Sequence, residues 1–235
     1  TMWSQSTEGM HNLFRLSSRS SMEGYYFKPR MDRELLQTYG KGLIATTGCP
    51  SGEVQTRLRL GQYDAARAAA AEFQDIFGKE NYFAEIMDHG LSIERRVMTD
   101  LLRLSKDLNI PLVATNDSHY THQHEADAHE ALLCVQSGST MDDPNRFKFD
   151  GDGYYIKTAQ EMRQLFRDHP EACDNTLLIA ERCEVEFNTA ANYMPRFPVP
   201  DGETEDSWLI KEVEDGLHYR YPNGIPDKVR KQAEH

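Results

Sequence analysis

The sequence predicts an α/β fold, and three observations carry that prediction. Short apolar runs alternate with longer helical patterns, each run ends in turn chemistry, and candidate ligand residues stand just beyond those ends. Strands alternating with helices imply parallel pairing. The pattern suits a closed or nearly closed barrel as well as an open sheet.

The first run, residues 42–47, is β-prone and stops at Gly48-Cys49-Pro50-Ser51-Gly52. A helix follows through the Ala-rich stretch to Phe77, closed by Gly78. Residues 82–87 form the second strand, ended by Asp88-His89-Gly90. Ser92 reads as an N-cap. Behind it Ile93, Val97, Leu101, Leu104 and Leu108 recur at the spacing of one helix face. Residues 111–115 make the third strand, ended by Asn116-Asp117-Ser118-His119, and a helix covers about 125–136. An irregular connection is predicted over 141–153, then helices near 159–168 and 170–182, the second opening on Pro170. Pro and Gly concentrate at 194–202, the mark of a linker. A helix restarts near Glu205 with Trp208, Leu209 and Val213.

At 235 residues, 39% apolar and 27% charged, the chain has the composition of a soluble globular protein of one or two domains. No apolar run approaches the ~20 residues of a membrane helix, and no signal-peptide pattern opens the chain. The expectation is therefore a cytoplasmic protein without a membrane partner. Cys134 and Cys173 sit in apolar helical patterns and read as core residues; the four cysteines show no C-x-x-C spacing. A net charge of −12 argues against a surface coated for sequence-independent DNA binding. It leaves nucleic acid open as a substrate, because bound divalent cations reverse a local field. Both ends read as cut, at Thr1-Met2 and in the polar stretch 231–235, as in a segment of a longer chain.

Cys49, the pair Asp88 and His89, and the pair Asp117 and His119 all fall past the C-terminal ends of successive strands. Ligands gather at that edge in parallel α/β folds. Thiolate, imidazole and carboxylate are also the set that binds zinc and similar ions. The alternatives are plain: an Asp–His hydrogen bond at a strand end, a small buried cysteine, a His89 that packs a loop. His89 is otherwise a group that orients a ligand or contacts substrate. His122, His124 and His129 read as solvated helix-surface residues. Lys28, Arg30 and Arg33 beside Tyr25, Tyr26 and Phe27 read as a solvated basic face in preference to a nucleic-acid contact.

Ala45-Thr-Thr-Gly-Cys-Pro-Ser-Gly52, Asp88-His-Gly90 and Val113-Ala-Thr-Asn-Asp-Ser-His-Tyr120 resemble the PHP (polymerase and histidinol phosphatase) domain of bacterial DNA polymerase III alpha subunits, actinobacterial type. So do Gly9-Met-His-Asn-Leu13, Asp127-Ala-His-Glu130, Asp143-Pro-Asn-Arg-Phe147 and Ile179-Ala-Glu-Arg-Cys183. Met194-Pro-Arg-Phe-Pro-Val-Pro200 resembles the entry into the polymerase palm. The resemblance implies a distorted (β/α)7-type PHP barrel, here lacking its first strands. Residues 1–190 would be the C-terminal portion of that domain, and 191–235 a linker and the start of the palm. It places metal ligands at Cys49, Asp117 and His119, with the remaining ligands upstream of Thr1, and a substrate contact at His89. The cysteine among these ligands favours zinc, with manganese or magnesium the alternatives.

The activity implied is metal-assisted 3′–5′ proofreading hydrolysis in a replicative polymerase, the isolated segment being inactive. Primer–template DNA, the sliding clamp and other replisome subunits would be its partners. The rival expectation is a non-catalytic, metal-stabilised module that braces the polymerase core or docks replisome subunits. A stand-alone small-molecule phosphoesterase does not fit the palm-like tail.

Overall fold

The computed structural model describes residues 1–235 and divides them into two compact units, Thr1–Phe187 and Asn188–His235. In the first unit the element order is β1 (Met2–Ser4), α1 (Thr7–Met22), α2 (Arg33–Tyr39), β2 (Leu43–Thr46), α3 (Glu53–Arg59), α4 (Tyr63–Phe77), β3 (Tyr82–Ile86), α5 (Ser92–Leu108) and β4 (Leu112–Ala114). A 3-10 turn (Gln123–Glu125), α6 (Ala126–Ser137), α7 (Ala159–Leu165) and α8 (Pro170–Arg182) complete it. No helix is long and apolar enough to cross a membrane.

The strands form one sheet in the order β1-β2-β3-β4. β2, β3 and β4 pair in parallel as the alternating pattern predicts; β1 adds an antiparallel edge through Trp3 opposite Ile44. Every residue of β2, β3 and β4 is buried, as in a parallel sheet covered on both faces. Successive side chains leave a strand on opposite faces. Leu43, Ala45, Tyr82, Ala84, Ile86, Leu112 and Ala114 therefore join the larger core with Val97, Leu101 and Leu104 of α5. On the other face Ile44, Phe83 and Val113 pack with Ile179 of α8 and the half-buried Trp3.

Helix ends follow local chemistry. Ser6 caps α1 by accepting from the Gly9 N–H, and Asp32 caps α2 by accepting from Leu35. α5 departs from the sequence expectation: its cap is Leu91, which has no capping side chain, and Ser92 is already helical. The reason lies inside the helix, where the Glu94 carboxylate reaches back to the His89 N–H at 2.7 Å. Gly9 is required by packing, because a Cβ there would stand 1.9 Å from the Gly42 carbonyl oxygen. That contact brings α1 directly against the entry to β2.

The end of the unit returns to its beginning. Ser6 and Glu184 form a parallel bridge, and the Glu186 N–H donates to Thr7 Oγ1 at 3.1 Å. Arg182 donates to the Glu80 carbonyl at 2.7 Å, to the Asn81 side chain and to Gln5 Oε1 at 3.3 Å.

In the second unit residues 189–200 carry no helix or strand. α9 (Glu205–Arg220) starts at a Thr204 cap whose hydroxyl accepts from the Ser207 N–H, and α10 (Asp227–Ala233) follows.

Candidate functional site

A polar layer tops the apolar one at the C-terminal ends of the parallel strands. Two residues beyond Ile44, Phe83 and Val113, on the same face, stand Thr46, Glu85 and Thr115. Glu85 is 3% exposed. Its carboxylate accepts from Thr46 Oγ1 at 2.5 Å and from Thr115 Oγ1 at 2.7 Å, so one acid ties three strands together. Its N–H donates to Thr47 Oγ1 at 2.9 Å. A buried carboxylate without such partners would cost several kcal/mol, on the order given for buried ions. Here both oxygens are satisfied.

Beyond β3 the chain turns at Asp88, whose carboxylate accepts from the Gly90 N–H at 2.8 Å. The His89 side chain is only 1% exposed. Its Nδ1 lies 2.6 Å from Glu94 Oε1, its Nε2 lies 2.8 Å from the Asn116 carbonyl oxygen, and its ring stacks on Tyr154 at 4.0 Å. Burial lowers the His89 pKa, but the bonds to Glu94 and the Asn116 carbonyl outweigh it and leave a net rise. Glu94 moves the other way: burial raises its pKa, and the contacts with His89 bring the net value below the ordinary range. Burial pushes the Tyr154 phenol up to about 12, so the ring beneath His89 is neutral.

Asn116, the first residue past Thr115, is buried and fully engaged. Its amide donates to the carbonyls of Gly153 at 2.9 Å and Tyr155 at 2.7 Å, while Oδ1 accepts from Lys157 Nζ at 2.9 Å. Burial lowers the Lys157 pKa. Asp117 follows in the left-handed region, at φ 46°, with its side chain exposed. Asp tolerates that conformation better than most residues. His119 Nδ1 lies 2.6 Å from the Asp117 carbonyl oxygen, and the His119 N–H donates to the Tyr154 carbonyl at 2.8 Å. With Nδ1 as the donor, Nε2 is left with its lone pair, the state in which imidazole binds a metal.

Cys49 stands on the loop after β2, half-buried, with Sγ 2.9 Å from Ser51 Oγ. Gly48 before it takes φ 75°, a value suited to glycine. The donor types of Cys49, Asp117 and His119 therefore suit a divalent ion, and His119 presents the right nitrogen. Their placement gives no group of three His, Cys, Asp or Glu side chains able to hold one. Asp117 and His119 share a loop; Cys49 occupies a separate one.

His122 and His124 are exposed, as the sequence reading had them. His129 differs: it is half-buried, with its ring centroid 5.3 Å from that of His119 and 5.1 Å from that of Phe149. Arg33 also departs from a free basic face, since it pairs with Glu53 and Glu72 at 2.8 Å each. Glu85, Glu94, Asn116 and Lys157 escaped the sequence reading. One signal was present, an acidic residue in the middle of an otherwise apolar strand.

Residues 1–89 match the family model of the PHP domain. The chain is 56% identical over 237 residues to the DNA polymerase III subunit alpha of Mycobacterium tuberculosis, covering 99% of this chain and 20% of that protein. With its Saccharopolyspora erythraea counterpart it shares 57% over 227 residues (95% of this chain, 19% of that protein). With that of Thermus aquaticus it shares 39% over 239 residues (99% and 20%). The chain thus spans about a fifth of the length of the curated relatives it matches. These matches bear out the resemblance on which the ligand assignment rests.

Proposed function

We propose that this chain, whose residues 1–89 match the PHP family model and whose sequence is 56% identical to an actinobacterial DNA polymerase III subunit alpha, serves 3′–5′ phosphodiester hydrolysis in a replicative polymerase. Residues 1–190 read as the later part of the PHP domain and 191–235 as the linker and start of the palm. In that reading the four-stranded sheet is part of a distorted (β/α)7 barrel completed by strands from the rest of the protein. The observation that carries the site assignment is the strand-end loop 116–119. There the Asp117 carboxylate is exposed, and the Asp117 carbonyl occupies His119 Nδ1 and leaves Nε2 for a ligand role.

Asp117 and His119 would hold a divalent ion, with Cys49 from the neighbouring loop and further ligands from outside this chain. Zinc suits the thiolate and imidazole best, with manganese or magnesium as alternatives. When bound, such an ion supplies charge neutralisation at a scissile phosphodiester. The chain's own residues present the ligands and hold their loops against the sheet. Primer–template DNA is the substrate of this reading, and the sliding clamp and other replisome subunits are partners of the whole protein, in the cytoplasm.

One observation favours the rival reading of a bracing module: the best-developed polar interactions at this edge, those of Glu85, His89 and Asn116, are internal and satisfied. Asp117→Asn in the full-length protein separates the two. The catalytic reading expects loss of 3′ excision with primer extension retained. Excision of a mispaired end at the parent rate would overturn it, and a joint collapse of extension and thermal stability would favour the brace.

A further inference from the structure

We propose that His89, held by Glu94, is a positioning residue that sets the Asp117–His119 loop through the Asn116 carbonyl, and that it does not touch substrate. The inference rests on the ligand reading of Asp117 and His119 and adds what shapes them.

The two atoms facing the ring are both acceptors, a carboxylate oxygen at Nδ1 and a peptide carbonyl oxygen at Nε2. A ring that satisfies both donates from both nitrogens, which only the protonated imidazole does. Glu94 supplies the compensating charge, and its second oxygen takes the His89 N–H. With both nitrogens engaged and the side chain 1% exposed, no atom of the ring is left for substrate.

What the ring holds is the peptide carbonyl immediately before Asp117. That residue sits at φ 46°, a conformation a non-glycine residue keeps only where its surroundings fix it. His89 fixes the Asn116 carbonyl, and the Asn116 amide is fixed in turn by Gly153 and Tyr155. The left-handed turn then aims the Asp117 carbonyl at His119 Nδ1. The relay runs from Glu94 to His89 to Asn116 to Asp117 to His119, and it links residues contributed by the ends of β3 and β4 and by the start of α5.

The test is hydrogen exchange on the entire chain without added metal, read at the His119 and Tyr120 amides, both of which donate to the Tyr154 carbonyl. The amides of Ala45 and Ala84, inside the sheet, report global opening. In His89→Ala the loop amides should exchange roughly tenfold faster or more, the scale of losing one buried hydrogen bond, with Ala45 and Ala84 changed less. Glu94→Gln guards against a variant that fails to fold. It keeps the side-chain size and an acceptor for Nδ1, but removes the charge that retains the second ring proton. It should therefore loosen the same two amides selectively.

Loop amides that move only in step with Ala45 and Ala84 in the folded variants would overturn the proposal. Zn2+ added afterwards tests the other reading separately. If the variants loosen the loop but Zn2+ fails to protect it even in the full-length protein, where the ligands from outside this chain are present, positioning stands and the ligand assignment falls.

Discussion

The two loops that carry the proposed ligands are built in different ways. The loop after β4 is pinned from beneath: Asn116 reaches Gly153, Tyr155 and Lys157, and His89 holds its carbonyl. The loop after β2 relies mostly on near neighbours. Gly52 N–H donates to the Cys49 carbonyl at 2.8 Å, Gly48 N–H to Thr46 Oγ1 at 3.1 Å, and the Gln55 side chain to the Gly48 carbonyl. One loop inherits its shape from contacts that are distant in sequence, the other from turn chemistry and the first residues of α3. Asp117 and His119 should thus keep their arrangement without an ion, whereas Cys49 should depend more on one.

Glu85 is the element the two loops share, since it joins Thr46 on one side to Thr115 on the other. Glu85→Ala leaves the buried Thr46 hydroxyl and the half-buried Thr115 hydroxyl without their acceptor and opens a cavity. The expected loss is about 2–4 kcal/mol of unfolding free energy, measured by urea titration. Both loops should loosen together in hydrogen exchange. A loss confined to one of them would break the symmetry of this account.

The two loops should also differ in their response to pH. His89 has its pKa raised, so its stabilisation is complete below the ordinary histidine range and is lost as pH rises through the raised value. Glu94 has its pKa lowered, so its stabilisation is present above the ordinary carboxylate range and is lost as pH falls through the lowered value. Lys157 faces the same ring and opposes the rise, and the Tyr154 phenol stays neutral up to about 12. Protection of the loop after β4 should therefore be greatest between those two limits and fall on either side. The loop after β2 should show no matching profile. A flat profile for the His119 amide across that window would contradict the ion pair.

The smallest effect belongs to Cys49→Ser. The thiol makes one contact, with Ser51, and the loop is otherwise closed by backbone bonds. Without metal, the thermal midpoint should correspond to a change within about 0.5 kcal/mol, the range of surface substitutions. A larger loss would mean that the loop depends on the thiol for its fold.

The same division explains what could be read in the sequence. β2, β3 and β4, the apolar face of α5 and the Pro170 start of α8 are local patterns, and they were legible. β1 was not, because three residues cannot display an alternation. α1 and α2 lie in the stretch before residue 40, where the sequence pattern was assigned no element. The relay behind Asp117 joins residues 5 and 27 positions apart, and the Asn116 bonds reach 37 to 41 positions. No short window of sequence contains Asn116 together with His89 or with its partners at 153, 155 and 157, so Asn116 looked like an ordinary turn residue. His89 was placed at the correct edge, but a loop reading could not show that its ring faces inward. Ser92 was read as a cap because it precedes the helix-face pattern that begins at Ile93; the backward reach of Glu94 to the His89 N–H left no local signal.

The contacts of Arg182 with Gln5 and of Glu186 with Thr7 bridge 177 and 179 positions. Closure entropy grows only with the logarithm of loop length, so this clasp costs little more at equilibrium than a far shorter loop. Its effect is on time. Contacts of such separation form slowly, because the chain between them must be ordered before they are rewarded. The clasp is therefore the step expected to finish the folding of the first unit. A refolding experiment that follows the Glu186 amide should see it gain protection after Ala45 and Ala84.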